Sequence, residues 1–156
     1  MALRILHSSD WHLGGSFEGV SRREDHLRFF EWLGACLRQQ HVDVMLLAGD
    51  IFDVANPSAE SLALWYEFLS SLEDSPVSDV VVIAGNHDSA ARLEAPAAVL
   101  DRVGVHVRGT FVDDEESKER LLVPIGGGPG APAAVVVAVR VWVVAMAAAA
   151  RWRRVR

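Results

Sequence analysis

The chain has 156 residues, a length that allows one domain and hardly two. Apolar residues make up 51% and charged residues 23%, so a sizeable core can form and wholesale disorder is excluded. The single cysteine, Cys36, excludes a disulfide framework, and the first thirty residues lack the features of a secretory signal. We therefore expect a protein of the reducing cytoplasm.

The formal net charge of −6 is unevenly distributed along the chain. Residues 1–130 carry a net charge of −11, whereas residues 131–156 contain five arginines and no acidic residue. Such an acidic body differs from the basic surface with which a protein holds nucleic acid through phosphate contacts alone. If the chain binds phosphate groups, cations have to supply the positive charge.

Three short apolar runs, starting at Leu3, Val42 and Val80, are rich in β-branched residues. Their length and composition predict strands that are buried on both faces of a sheet. Helical patterns lie between them, and the alternation of strand and helix predicts right-handed crossovers and a mainly parallel sheet.

The starts of the two predicted helices carry recognisable signals. Ser21 and Glu24 have the spacing of a capping box in front of the first helix. Asn56 precedes Pro57, an arrangement that predicts a cap followed by a proline in the first turn of the second helix.

The pattern is looser after Asp88. We expect short strands at 105–107, 121–125 and 133–139, and a solvated turn over the charged run 113–119. Residues 131–150 are apolar enough for a membrane span, but Arg140 near the middle would cost about 2.5–3.5 kcal/mol, so we expect no span. Residues 140–156 form an atypical Ala/Val/Arg-rich tail, and one hypothesis is that the tail is out-of-frame or truncated sequence.

Each of the three apolar runs ends in polar residues. The three motifs are Asp10-Trp11-His12, Gly49-Asp50-Ile51-Phe52-Asp53 and Gly85-Asn86-His87-Asp88. Because ligands gather at the carboxyl ends of parallel strands, we expect these motifs to meet at one sheet edge. A mixture of carboxylate, imidazole and amide groups suits Mn²⁺, Fe or Zn²⁺.

Hydrolysis of a phosphoester explains why such a site would use two cations. Two ions about 3.5–4 Å apart can generate a nucleophilic hydroxide and neutralise the growing charge, with a shared carboxylate as bridge. Asp50 is placed to be that bridge because it follows a glycine at the end of the middle motif. Each motif alone has an ordinary interpretation as a turn, a cap or a surface histidine, but three in succession favour metal binding.

Other ionisable residues are expected to have supporting roles. Asp25, Asp53 and Asp88 are expected to support helix ends or to orient ligands. The remaining histidines are expected to be structural or exposed: His7, His26, His41 and His106.

The motifs DxH, GDxxD and GNHD at these separations resemble those of the calcineurin-like metallophosphoesterases. The opening segment 3–14 is similar to that of the bacterial SbcD nuclease subunits, and the resemblance extends from about residue 3 to residue 139. It implies an α/β fold, a sandwich of two mixed β-sheets flanked by helices, which is incomplete here. It also implies a manganese-dependent nuclease that acts on DNA ends and hairpins with an SbcC-type SMC-like ATPase, and it leaves a homodimer open.

By position in the motifs, the resemblance implies that Asp10 and His12 hold the first metal, Asp50 bridges and Asn86 holds the second. His87 would orient the scissile phosphate or protonate the leaving oxygen. The family completes its site with further histidines, but no His, Asp, Glu, Asn or Cys follows Glu119 in this chain. We therefore interpret residues 1–139 as the N-terminal part of a nuclease domain and expect weak or no activity of its own.

Two alternatives remain. The first is a smaller metallophosphoesterase that acts on nucleotides or phosphoproteins. The second is a truncated, non-catalytic remnant that persists as an interaction surface.

Overall fold

The computed structural model describes residues 3–109, 119, 121–125, 134–137 and 151–154. The strands in chain order are β1 (Arg4–Ser8), β2 (Ser16–Phe17), β3 (Val20–Ser21), β4 (Val44–Ala48), β5 (Asp79–Ile83), β6 (Val105–Arg108), β7 (Leu122–Ile125), β8 (Ala134–Val137) and β9 (Arg151–Arg154). The α-helices are α1 (Arg23–Gln39), α2 (Ala59–Ser71), α3 (Ala90–Glu94) and α4 (Ala97–Leu100).

The main sheet has the strand order β6-β5-β4-β1-β9. Strands β1, β4, β5 and β6 are parallel, as the alternation of strand and helix predicts, and β9 pairs antiparallel with β1. From β1 to β6 each crossover steps in the same direction, so right-handed connections place the helices on one face of the sheet. The carboxyl ends of β1, β4 and β5 consequently lie side by side at one edge.

The larger core lies between the sheet and its helices. Leu37 of α1 and Trp65 of α2 pack there with Met45 and Val82 of the sheet. On the opposite face a smaller cluster joins Val44 and other sheet residues to Val123 and Ile125 of β7.

The prediction of strands buried on both faces is confirmed for β4 and β5 but is wrong for β1. Strand β4 has Val44 and Met45 buried on opposite faces, whereas Arg4 and His7 of β1 are exposed. The smaller cluster buries Val44 of β4 and Val81 of β5 but covers Ile5 of β1 only in part.

The predicted fold class is confirmed, since a mixed sheet and further antiparallel strands are flanked by helices. The strands expected at 105–107, 121–125 and 133–139 are β6, β7 and β8, of which β7 and β8 pair antiparallel. The solvated turn expected at 113–119 lies outside the described residues except for residue 119, and so do residues 138–150. The predicted boundary between the domain and the tail, after residue 139, stays a prediction. Among the described residues, no helix is both long and apolar enough to cross a bilayer.

Both helix starts differ from the sequence predictions. Helix α1 begins after Arg22 without a side-chain cap, because Ser21 belongs to β3 and its hydroxyl accepts a bond from the backbone N–H of Arg23. Helix α2 is capped by Ser58, whose Oγ accepts from the backbone N–H of Ser61 at 3.1 Å, so Asn56 is not the cap. At α2 the nearby Ser58 has the backbone geometry of a cap, whereas at α1 Ser21 bonds to the helix start from outside the cap position.

A substitution at Leu37 tests how much the larger core contributes to stability. The Leu37 side chain is fully buried, so we expect Leu37→Ala to lower the free energy of unfolding by about 2–5 kcal/mol. The control Val99→Ala removes an exposed side chain and should change the free energy of unfolding by no more than about 0.5 kcal/mol. Urea denaturation of both variants measures the difference, and equal effects would contradict this description of the core.

Candidate metal centre

The loop that follows β1 lies alongside the loop that follows β4. The backbone N–H of Asp10 donates to the carbonyl of Gly49 at 3.1 Å, and the N–H of His12 donates to the carbonyl of Asp50 at 3.0 Å. The N–H of Leu13 continues the series by donating to Ile51 at 2.9 Å. The parallel pairing of the two strands thus extends into the motifs that follow them.

The carboxylate of Asp88 connects the third loop to the second. It is buried, and its Oδ2 accepts from the backbone N–H groups of Gly85 at 2.9 Å and Ile51 at 3.1 Å. Its Oδ1 accepts from the N–H of Phe52 at 2.9 Å. Asp88 therefore orients the backbone of two motifs, and its oxygens are occupied by N–H donors.

Glycine is required where these two loops cross. Gly49 has a φ of +89°, and a Cβ at this position would lie 2.7 Å from the Cα of Gly85. A Cβ on Gly85 would collide with the carboxylate and backbone of Asp50. The glycines of the second and third motifs thus allow a close approach of two backbones.

Three predicted site residues have a left-handed backbone. Asp10, His12 and Asp50 have φ values of 58°, 49° and 50°. Non-glycine residues seldom adopt this conformation, and when they do the strain concentrates at functional sites. The conformation persists here because the backbone bonds to the neighbouring loop fix these residues.

The side chains of Asp10, His12 and Asp50 form one cluster. Each offers a ligand atom, and the three atoms lie within 4.8 Å of one another. The Nε2 atom of His12 is 4.0 Å from Oδ2 of Asp50, too far for a hydrogen bond. Two ligands that are each about 2.1 Å from one ion can be up to about 4.2 Å apart, so this separation fits a shared cation.

Asp53 holds the other side of the His12 ring. Its Oδ1 lies 3.2 Å from Nδ1 of His12, so that nitrogen can donate its hydrogen while Nε2 faces Asp50. A carboxylate that orients a histidine in this way is typical of metal sites. The donor set and its support therefore fit a divalent cation of the Mn²⁺, Fe or Zn²⁺ type.

His87 reaches the cluster from the loop after β5. Its backbone N–H donates to Oδ1 of Asp50 at 2.9 Å, and its Nδ1 donates to the backbone carbonyl of Asp53 at 2.8 Å. The bond to the Asp53 carbonyl, aided by the charges of Asp50, Asp53 and Asp88, raises the pKa of His87 above its ordinary value. The His87 ring stands nearly perpendicular to that of His12, with centroids 4.8 Å apart.

The structure thus brings Asp10, His12, Asp50 and His87 together at the predicted edge of the sheet. Asn86 lies exposed between Gly85 and His87 on the third loop, and its role as a ligand of the second metal stays a prediction. Sequence reasoning gave Asp53 only an orienting role, but the structure also places it in a second group of potential ligands with His12 and His87. The GDxxD spacing is the signal that marked it.

His26 is the residue whose importance the sequence did not reveal. It is 5% exposed, and its Nε2 lies 2.9 Å from the carbonyl of Trp11, the residue between Asp10 and His12. Burial lowers the pKa of His26, partly offset by the bond to the Trp11 carbonyl. The Trp11 indole packs within an aromatic cluster formed by Phe29, Phe30, Trp65 and Phe68.

The Calcineurin-like phosphoesterase family description matches residues 3–133 of the chain. The chain therefore belongs to the calcineurin-like phosphoesterase family. This membership agrees with the resemblance seen in the motifs and with the α/β fold.

The chain is also similar to the SbcD subunits of SbcCD nucleases. It is 47% identical to the SbcD protein of Rhodobacter capsulatus over 110 residues, which cover 70% of this chain and 27% of that protein. It is 35% identical to the SbcD protein of Escherichia coli over 129 residues, which cover 83% of this chain and 31% of that protein. The match to the DNA double-strand break repair protein Mre11 of Methanopyrus kandleri is 40% over 106 residues, 66% of this chain and 23% of that protein. The chain spans about a third or less of the length of these relatives.

Substitutions at Asp10 test the left-handed backbone. Glycine adopts φ 58° without strain, whereas alanine costs about 1–2 kcal/mol there, so Asp10→Gly should be more stable than Asp10→Ala by about that amount. Thermal and urea denaturation of the two variants measure the difference. At Asp43, whose φ is negative, we expect the opposite order for the same pair of substitutions. If alanine were the more stable residue at position 10, the strained conformation would be wrong.

The lowered pKa of His26 predicts a loss of stability in acid. The unfolded chain takes up a proton near the ordinary pKa of 6.5, while the folded protein resists protonation. The contribution of neutral His26 is therefore fully present above that pH and is lost as the pH falls below it. Comparison with His26→Gln, which cannot be protonated, should show a smaller loss in the variant between pH 7 and pH 5. An equal loss in both proteins would contradict the lowered pKa.

Proposed function

We propose that the chain is the N-terminal part of a metal-dependent phosphodiesterase, a cytoplasmic DNA nuclease of the SbcD type. The observation that carries the proposal is the cluster of Asp10, His12, Asp50 and His87 at the carboxyl ends of three parallel strands. It occurs in a chain that is 47% identical, over 110 residues, to the SbcD protein of the Rhodobacter capsulatus SbcCD nuclease. Family membership supports hydrolysis of phosphoesters, and the names of the relatives support DNA as the substrate.

Four residues of the chain would hold two divalent cations, which we take to be Mn²⁺. Asp10 and His12 would hold the first, Asn86 would hold the second, and Asp50 would be shared as the bridge. Bound cations would supply a hydroxide nucleophile at neutral pH and offset the charge that grows on the phosphoryl oxygens. The clustering of three donor atoms within 4.8 Å supports the first position, and the Asn86 loop follows the neighbouring strand.

His87 would contact the scissile phosphate or protonate the leaving oxygen. Its Nδ1–H is engaged by the carbonyl of Asp53, which fixes the ring and leaves Nε2 as the nitrogen for the substrate. The carboxylate of Asp53 also orients the His12 ring. Asp53 therefore fixes the relative orientation of the two imidazoles.

The excess of acidic residues in 1–130 supports DNA binding through bound metal ions. Residues 1–130 carry a net charge of −11, so contacts to phosphate at this site require the bound cations. We propose further that an SbcC-type SMC-like ATPase is the partner, because several relatives are named as subunits of SbcCD. A homodimer is a further proposal that follows from the resemblance alone.

The proposal is tested by Mn²⁺ binding to the full chain. Asp50→Asn keeps the shape of the side chain and its acceptor for the His87 N–H, but it removes the charge that faces the cation. We expect the Mn²⁺ affinity measured by calorimetry to fall at least about 10-fold. Asp43→Asn is the control, because this carboxylate accepts from the Arg4 N–H at the opposite end of the sheet and should leave the affinity unchanged.

Activity assays with the same proteins separate the alternatives. With Mn²⁺ we expect weak or undetectable cleavage of a DNA hairpin, because the chain lacks the further histidines of the family. Strong hairpin cleavage that is abolished by His87→Ala would contradict the expectation of low activity. Turnover of a phosphomonoester but not of DNA would favour the smaller phosphoesterase, and a Mn²⁺ affinity unaffected by Asp50→Asn would contradict the proposed site.

A further inference from the structure

His26 is a buried polar group that the proposed chemistry does not use. It lies on α1, is 5% exposed, and makes a hydrogen bond of 2.9 Å through Nε2 to the carbonyl of Trp11. A carbonyl oxygen can only accept, so Nε2 must carry the hydrogen. Nδ1 is buried and has no hydrogen-bond partner among the residues that the structure describes. A histidine kept in the core with one nitrogen unpaired calls for an explanation beyond packing.

The bond from His26 acts on the peptide that joins Trp11 to His12. A trans peptide is planar, and its C=O and N–H point in opposite directions. On one edge of this peptide, the Trp11 carbonyl accepts from His26. On the other edge, the His12 N–H donates to the carbonyl of Asp50 at 3.0 Å. The plane is therefore fixed from both sides, by α1 and by the loop after β4.

Fixing this plane determines the backbone of the proposed ligand His12. Rotation of the peptide would change the φ of His12, which is 49° and strained, and would let it relax toward an ordinary conformation. The side chain of Trp11 is anchored separately by Ser8, whose Oγ accepts from the indole Nε1 at 2.8 Å. Packing of the indole therefore holds the side chain of Trp11, while His26 holds its carbonyl.

We propose that His26 is a positioning residue whose Nε2–H, by holding the Trp11 carbonyl, keeps His12 in the geometry that binds the divalent cation. This inference rests on the proposed metal-binding function. His26 does not touch the cation or the substrate. Its effect on metal binding is transmitted through one peptide plane.

The first test needs no substitution and no metal. Nitrogen-15 NMR of the full chain at pH 7.5 should show His26 as the neutral tautomer with hydrogen on Nε2. A His26 with its hydrogen on Nδ1 would overturn the proposal, because the bond to the Trp11 carbonyl could not then exist.

The second test compares variants that keep or remove the donor. His26→Gln can place an amide N–H near the position of Nε2, whereas His26→Leu fills the space without a donor. By calorimetry at a temperature where all proteins are folded, we expect Mn²⁺ affinity to fall about 10-fold or more in His26→Leu and to recover to within about 3-fold in His26→Gln. His106→Gln is the matched control, because His106 contacts Asp79 and Asp101 away from the metal centre and should leave the affinity unchanged.

Amide hydrogen exchange separates failure of this inference from failure of the proposed function. In the absence of metal, His26→Leu should accelerate exchange of the His12 N–H relative to that of Val82 in the centre of the sheet. His26→Gln should not. A His12 amide as protected in His26→Leu as in the wild type overturns the proposal even if the wild type binds Mn²⁺. If the His12 amide exchanges faster in His26→Leu but the wild type binds no Mn²⁺, His26 holds the backbone as proposed and only the proposed metal site is wrong. If His26→Leu fails to fold, the tautomer of His26 in the wild type, measured by nitrogen-15 NMR, decides whether the proposal stands.

Discussion

The constraint on which the site depends is the backbone pairing between the loops that follow β1 and β4. Parallel strands normally diverge once they leave a sheet, but here the N–H groups of Asp10, His12 and Leu13 continue to donate to the neighbouring loop. The carboxylate of Asp88 adds the third loop by accepting from Gly85 and from the middle motif. Three segments that are distant in the chain are thereby joined by hydrogen bonds. The proposed ligand groups are therefore placed by backbone geometry.

This arrangement has a cost, which the surrounding structure offsets. Three left-handed residues in one small region would each favour relaxation by about 1–2 kcal/mol. The aromatic cluster around Trp11 opposes that relaxation, because moving the loop would pull a nearly buried indole out of the core. The close contact of Gly49 with Gly85 has the same consequence for the middle loop. Preorganised ligands are expected where a site has to bind cations and hold them in fixed positions.

Much of the fold and the location of the site could be predicted from the sequence. Runs such as 80–83 are apolar and β-branched, so their periodicity identifies strands, and the parallel topology then places the following motifs at one edge. Helix starts could not be placed as well, since Ser21 and Ser58 compete with nearby residues and only backbone geometry decides which one bonds. The strand formed by residues 151–154 was also missed, because its composition differs from that of the other strands.

Supporting residues were the hardest to predict. Asp53 could be identified by its spacing in the GDxxD motif, but its double contact with His12 and His87 depends on how two loops meet. His26 lies in the first turn of α1, an amphipathic helix, where a histidine gives no local signal of its partner. Its hydrogen bond to the Trp11 carbonyl joins residues 15 positions apart and follows from tertiary packing alone.

We propose above that Asp10, His12 and Asp50 share one cation. An anomalous-scattering map from crystals of the chain grown with Mn²⁺ would locate that cation. We expect a peak bonded to Nε2 of His12 and to carboxylate oxygens of Asp10 and Asp50, with Nδ1 of His12 still facing Asp53. A map with ordered side chains but no peak among these three residues, or with Mn²⁺ bound only elsewhere, would contradict it.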